Sequence, residues 1–323
     1  MPVKVTALAG GVGAGKFLRG LIRVLPAEDV TVVVNTGDDI VVHGLHVSPD
    51  LDSVTYWLAG VADRERGWGR AGETFRATEE LRRLEADGSW FGLGDLDLAT
   101  HLLRTAVMHG GGALSEATKL ISRRFGVTAR LLPMTDDVMT TRVEVAGVDG
   151  SPVDLHFQEY WVELEGRDAV TGIRFEGGAC ARPTPGVLEA IQGADAVLLC
   201  PSNPIVSIDP ILAVPGISDA VAGRRDRVAG VSPIVGGAPL RGMADRLLPA
   251  AGVEVSAAGV ARHYSERGLL GGWVIDEVDR AERGAVEALG IRVSVVDSIM
   301  VDDEASERLV RAALEVAMSG AAG

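Results

Sequence analysis

Cysteine is scarce, with Cys180 and Cys200 the two thiols in 323 residues. Neither has a cysteine or histidine at metal-ligand spacing, which excludes a disulfide scaffold and a cysteine-based zinc site and predicts two buried, reduced thiols. No run of 18 apolar residues occurs, so no helical membrane span is expected. The segment MPVKVTALAGG turns to glycine too early for a secretory core, and a cytoplasmic protein is expected. Basic charge is also short: 31 Lys+Arg face 45 Asp+Glu, a net charge of -14. That balance, with no basic patch, argues against nucleic acid as a partner. Only Lys4, Lys16 and Lys119 are lysines, so a lysine beside a glycine turn stands out.

Hydrophobic residues make up 47% and charged residues 24%, which is ordinary globular usage and supports a real core. Residues 3–9 are a β-branched run that stops at Gly10-Gly11-Val12-Gly13-Ala14-Gly15-Lys16, and FLRGLIRVL follows at helical spacing. Strand, glycine turn and helix are followed by VTVVV at 30–34, so a β-α-β unit is complete by residue 39. Residues 53–130 read as an inserted, mainly helical lobe. Residues 141–148 and 152–158 alternate like a hairpin about Asp149-Gly150. Strands are expected at 195–200, 227–231, 252–256 and 291–296, and helices at 279–289 and 303–318. The predicted architecture is one α/β domain over 1–323, a doubly wound, mostly parallel Rossmann-like sheet with the lobe inserted.

The glycine turn satisfies G-x-x-x-x-G-K, but Phe17 stands where a P-loop places the hydroxyl that holds magnesium. It also breaks the dinucleotide fingerprint, because Lys16 occupies the place of the third glycine. A P-loop NTPase and a nicotinamide dehydrogenase are both disfavoured on those grounds. The general property of a glycine turn opening a helix remains, which is close backbone approach and amides aimed at phosphate, with a plain tight turn as the alternative.

Asp38, Asp39, Asp50 and Asp52 follow the second strand, where open α/β sheets place ligands. Carboxylates beside bound phosphate repel it unless a divalent cation intervenes, which points to Mg²⁺; the alternative is helix capping. Six of the fourteen aromatic residues, Tyr56, Trp57, Trp68, Phe75, Trp90 and Phe91, fall within 56–91 and form either a wall for a flat ring or the lobe's own core. Asp95 and Asp97 sit at a helix start, and no Ser-His-Asp or Cys-His set can be assembled.

In order, the segments AGGVGAGKFLRGL, VVVNTGDDIVVHGLHVSPDLDSVTYWLAG, WFGLGDLDLATH, RLLPMTDD, PSNPIVSIDPIL, SPIVGGAPLRGMADRLL and GWVIDEVDR span nearly the whole chain. They resemble the 2-phospho-L-lactate transferases of coenzyme F420 biosynthesis, including the actinobacterial phosphoenolpyruvate-using branch. The resemblance implies transfer of a phospholactyl or phosphoenolpyruvyl group from a guanosine diphosphate diester to the ribityl terminal hydroxyl of the deazaflavin Fo, releasing GMP and forming (dehydro) coenzyme F420-0. It further implies Mg²⁺ on Asp38, Asp39, Asp50 or Asp52, with Asp50 catalytic, and a homodimer. Gly11, Gly13, Lys16, Asn35, Asp95, Ser202, Asn203, Gly236 and Gly237 are then the substrate-binding set. The chain departs from the family pattern at Ala14-Gly15, at Leu96 in place of arginine, at Asp209 in place of glycine and at Met243 in place of proline. A related branch of nucleotide-sugar-binding regulators is the alternative, disfavoured by SPDLD and WFGLGDLDLATH.

Overall fold

In the computed structural model, which describes residues 2–147 and 150–320, the alternation of side chains along each central strand sorts the apolar residues into two cores. In β1 (Val5–Ala9), Val5, Ala7 and Ala9 point to one face and Leu8 to the other. In β2 (Val30–Val34), Val30, Val32 and Val34 oppose Val33 in the same way. A strand buried on both faces belongs inside a parallel sheet covered twice by helices.

One face is covered by α1 (Gly11–Val24), α2 (Pro49–Ala59), α5 (Leu114–Arg124) and α12 (Asp303–Ser319). The other carries α6 (Val187–Gln192), α7 (Asp209–Ala213), α8 (Ile217–Ala222), α9 (Ala244–Ala250), α10 (Ala257–Ser265) and α11 (Arg283–Glu287). The remaining central strands are β5 (Arg130–Pro133), β9 (Ala196–Leu199), β10 (Val228–Val231), β13 (Gly272–Asp276) and β14 (Arg292–Val296). All neighbours pair parallel in the order β14-β13-β10-β9-β1-β2-β5. The chain runs outward from β1 through β2 to β5, returns to β9 beside β1, and runs outward the other way. The order therefore reverses between β1 and β9, where the loops leaving the two strands diverge and open a crevice.

Three small sheets and two helices decorate this frame. A hairpin of β3 (Ile40–Val42) and β4 (Leu45–Val47) precedes α2, and α3 (Arg76–Arg83) and α4 (Asp95–His109) follow it. An antiparallel sheet is built from β6 (Thr140–Ala146), β7 (Pro152–His156) and β8 (Val170–Glu176). A second short hairpin joins β11 (Ile234–Val235) to β12 (Ala238–Pro239). Among the described residues no helix is long and apolar enough to cross a membrane.

The doubly wound parallel sheet is as expected, with local corrections. Residues 252–256 form no strand: Val253 and Val255 pack on the core from an irregular segment, and Ser256 caps α10, its Oγ accepting from the Gly259 amide at 2.9 Å. The strand of that region is β13, fully buried. The helix expected at 279–289 is a 3-10 segment, Glu277–Glu282, followed by the short α11. Cys180, expected buried, is exposed at the end of a 3-10 turn, whereas Cys200 is buried and its thiol is pushed up by desolvation. β6 and β7 pair as the hairpin reading required; its turn includes Val148 and Asp149, which lie outside the described residues.

Candidate active site

A cavity of about 1230 Å³ opens at the carboxyl ends of the central strands, beside the point where their order reverses. Its floor joins the two diverging loops: the Gly10 amide donates to Ser202 Oγ at 3.2 Å. There is almost no loop after β1, because α1 begins at Gly11. Gly10, Gly11, Val12 and Gly13 line the cavity, and the first turn of α1 carries no acidic side chain. A helix start held this way offers unpaired amides and the positive end of the helix dipole to an anion. The close approach requires glycine: a Cβ at Gly10 would lie 2.2 Å from Asp50 Oδ2, and Gly11 sits at φ +73°.

Beside this turn lies a buried acidic pair. Asn35 directly follows β2 and is fully buried, and its Nδ2 donates to Asp50 Oδ2 at 2.9 Å, to Asp38 Oδ1 at 3.1 Å and to the Val206 carbonyl. Gln158 Nε2 donates to the other Asp38 oxygen at 3.0 Å. Asp50 also accepts from the Gly11 amide and from Ser207. Desolvation, opposed by the Asn35 hydrogen bond and reinforced by the Asp39 charge, pushes Asp50 up to about 7. Burial and the Asp50 and Asp39 charges hold Asp38 well above the carboxylate range.

A carboxyl group raised in the folded state binds more protons there than in the unfolded chain. Its contribution to stability is present below the unfolded pKa near 4 and is lost as pH rises through about 7. Asp50→Asn removes that penalty. In metal-free protein the variant is expected to melt several degrees above wild type at pH 8, with the difference fading toward pH 5. The rise of Asp50 to about 7 bounds the gain at about 4 kcal/mol. Calorimetry across that range checks it; an equal or lower midpoint at pH 8 counts against the buried pair.

The expected site residues divide clearly. Asp38, Asp50, Gly11, Gly13, Lys16, Ser202 and Asn203 line the cavity, and Asn35 lies directly beneath it. Asn203 is turned inward as a cap, its Oδ1 accepting from the Ile205 amide at 3.0 Å. Lys16 Nζ reaches the Met300 carbonyl at 3.4 Å, and burial with the nearby Arg241 and Arg64 charges lowers its pKa. Asp39 is engaged by Ser48 Oγ at 2.6 Å and His46 Nε2 at 2.8 Å, and Asp52 is paired with the buried Arg104. Asp95 caps α3 instead, accepting from Thr74 Oγ1 and the Ala77 amide. Gly236 and Gly237 form the β11–β12 turn, and the Gly236 amide is taken by Asp279 at 3.0 Å. Neither they nor Asp95 are in the cavity wall.

Among the described residues no three His, Cys, Asp or Glu side chains are grouped to hold a metal. Magnesium commonly takes one or two carboxylates and completes its shell with water and substrate phosphate. The Asp38–Asp50 pair fits that partial set. Asp39 and Asp52, bonded elsewhere, stand outside it.

Trp68, Phe75, Trp90 and Phe91 line the cavity, whereas Tyr56 and Trp57 are core residues at 1% and 4% exposure. The aromatic cluster is thus divided between the cavity wall and the buried core. Phe157 and Trp161 complete the wall from the chain after β7, and Arg66 lies over Trp68 at 4.7 Å from the ring centre. These, with Gln158, Ser207 and Arg241, are cavity residues that the motif reading did not single out. Of the departures from the family pattern, Leu96 is exposed on α4 outside the wall, Met243 is buried in it, and Asp209 is held by His263 at 2.8 Å and by Arg267.

Comparison with known proteins bears on the family and the fold. The chain is 50% identical over 315 residues to a phosphoenolpyruvate transferase of Streptomyces griseus, covering 98% of both chains. It is 49% identical to the protein of that name from Streptomyces coelicolor, again covering 98% of both, and 43% identical to that of Mycolicibacterium smegmatis, covering 98% of this chain and 99% of that one. A crystal structure of a UPF0052-family protein from Bacillus halodurans shares the fold at a TM-score of 0.64 and 16% identity, covering 96% of this chain and 99% of that one. The family model described as 2-phospho-L-lactate transferase CofD matches residues 5–315, and the chain belongs to that family of transferases.

Proposed function

We propose that this protein transfers a phosphoenolpyruvyl group from a guanosine diphosphate diester to the ribityl terminal hydroxyl of the deazaflavin Fo, giving dehydro coenzyme F420-0 and GMP. One observation carries the reading: a bare helix start, a buried carboxylate pair and an aromatic wall share a single cavity. The choice of enolpyruvate over lactate rests on the names of relatives 43–50% identical to this chain.

In the proposed reaction, the diphosphate lies against the first-turn amides of α1 at Val12 and Gly13 and the Ser202 loop, with Lys16, Arg66 and Arg241 supplying positive charge. The acceptor ring packs against Trp68, Phe75, Trp90 and Phe91, which turns its ribityl end toward Asp50. The hydroxyl oxygen attacks the phosphorus bearing enolpyruvate, the bond to the bridging oxygen breaks, and GMP departs with the electron pair. Asp50, held by Asn35 and Gly11, accepts the hydroxyl proton. Asp38 and Asp50 would hold Mg²⁺, which would supply charge neutralisation for the transferring phosphoryl group.

The reading is tested by incubating the protein with Fo, Mg²⁺ and the two guanylated donors in competition, then weighing the products. Dehydro-F420-0 is expected to dominate; a product carrying only lactate overturns the donor assignment, and no Fo binding by calorimetry favours a regulator. Trp90→Ala is expected to raise KM for Fo about tenfold with kcat little changed, since a stacked aromatic contact contributes about 1 kcal/mol or more. An unchanged KM in this variant and in Trp68→Ala would remove the aromatic wall from the acceptor site.

A further inference from the structure

Helix α4 is inside out. Its exposed side carries Leu96, Leu102 and Leu103, while Asp97, Thr100, His101, Arg104 and Thr105 are buried. Burying an arginine is expensive unless its fork is matched. Arg104 is 1% exposed, Nη1 donates to Asp52 Oδ2 at 3.1 Å, and Nη2 donates to Asp52 Oδ1. Nη1 also reaches the His46 carbonyl at 3.3 Å, and the His46 amide donates to Thr105 Oγ1 at 2.8 Å. Two adjacent residues of α4 therefore grip β4 and the first turn of α2 together.

That turn needs an outside hold. Ser48, at its N-cap, makes no capping hydrogen bond, because its hydroxyl is given to Asp39. Asp50 is the second residue of α2 and Asp52 the fourth, so the bond that fixes Asp52 also fixes where Asp50 enters the cavity. From this geometry we propose that Arg104 is a positioning residue for the transfer reaction: its forked bond to Asp52 sets the start of α2 and hence the Asp50 carboxylate against Asn35. The inference rests on the transferase reading above. Arg104 touches no cavity surface and its effect is indirect.

The test uses the full chain with Fo and the guanylated donor. Arg104→Lys keeps the charge without the fork. It is expected to lower kcat about 10- to 100-fold, the size of effect that a displacement near 1 Å produces, with KM for both substrates within about threefold. The double variant Arg104→Met/Asp52→Asn removes both charges of the buried pair together, so its fold is expected to survive. If it melts near wild type and still shows the kcat loss, positioning is supported. Wild-type kcat in a folded double variant overturns the proposal, as does failure of both variants to fold, because the role is then structural. Asp50→Asn and wild type are run in parallel: if wild type forms no product, the transferase reading fails, whereas an active wild type, an inactive Asp50→Asn and an undiminished Arg104→Lys sink the Arg104 inference alone.

Discussion

Asp50→Asn is expected to reduce transfer to Fo by about a thousandfold while leaving the fold intact. The magnitude follows from losing the proton acceptor, which is typically worth 10²- to 10⁴-fold in rate. The fold is expected to survive because asparagine fills the same volume and its one carbonyl oxygen keeps either the Asn35 or the Gly11 hydrogen bond. The substitution also removes one of two like charges coupled through Asn35, so the variant that is nearly inactive is the one expected to be more stable at pH 8. This opposition is a property of active sites that hold a destabilised group in place for chemistry. Single-turnover product formation followed by mass spectrometry checks the loss, and titration with GDP and Mg²⁺ checks that the donor still binds. Turnover within tenfold of wild type refutes the role given to Asp50.

How far the site was legible depends on how local each of its parts is. Gly10 to Gly13 could be read because strand, glycine and helix follow one another without a gap, and backbone approach is encoded by the missing side chains. The acidic cluster was legible as a cluster and not as a division of labour. Asp38 and Asp50 face the cavity, whereas Asp52 meets Arg104 on a helix 52 positions further along. No periodicity announces that pairing. Gln158 was invisible for the same reason: it is 120 positions from Asp38, and only the folding of the β6–β8 sheet brings its amide there. Ser207 required knowing that β9 lies beside β1. Residues 252–256 were misread because alternating valines with a partly buried face look alike whether or not a neighbouring strand is present to pair with them. For Asp95 the helix-start position was visible, and capping is what the position delivers, although for the neighbouring α3.

Gly13→Ala is expected to weaken binding of GDP with Mg²⁺ by about 100-fold while Fo affinity stays within a few-fold. A Cβ at position 13 would lie 2.3 Å from the Pro201 carbonyl oxygen, well inside contact distance, and that oxygen is backbone. The carbonyl cannot easily swing away: the adjacent Ser202 amide bonds to Cys200 O at 2.7 Å, and Ser202 Oγ accepts from the Gly10 amide. Relief must come from moving the start of α1 away from the β9 loop. The amides proposed to receive the diphosphate then separate from the Ser202 side of the same site. Losing one or two hydrogen bonds to a charged group costs about 1.5–3 kcal/mol each, which sets the expected drop. Fo affinity is insulated because Trp68, Phe75, Trp90 and Phe91 belong to the segment between α2 and α4 and make none of these contacts. Calorimetric titration with each ligand separates the outcomes. Undiminished GDP binding would show that the diphosphate lies elsewhere, and parallel loss of both ligands would mean that the sheet itself had been disrupted at the β1–β9 junction.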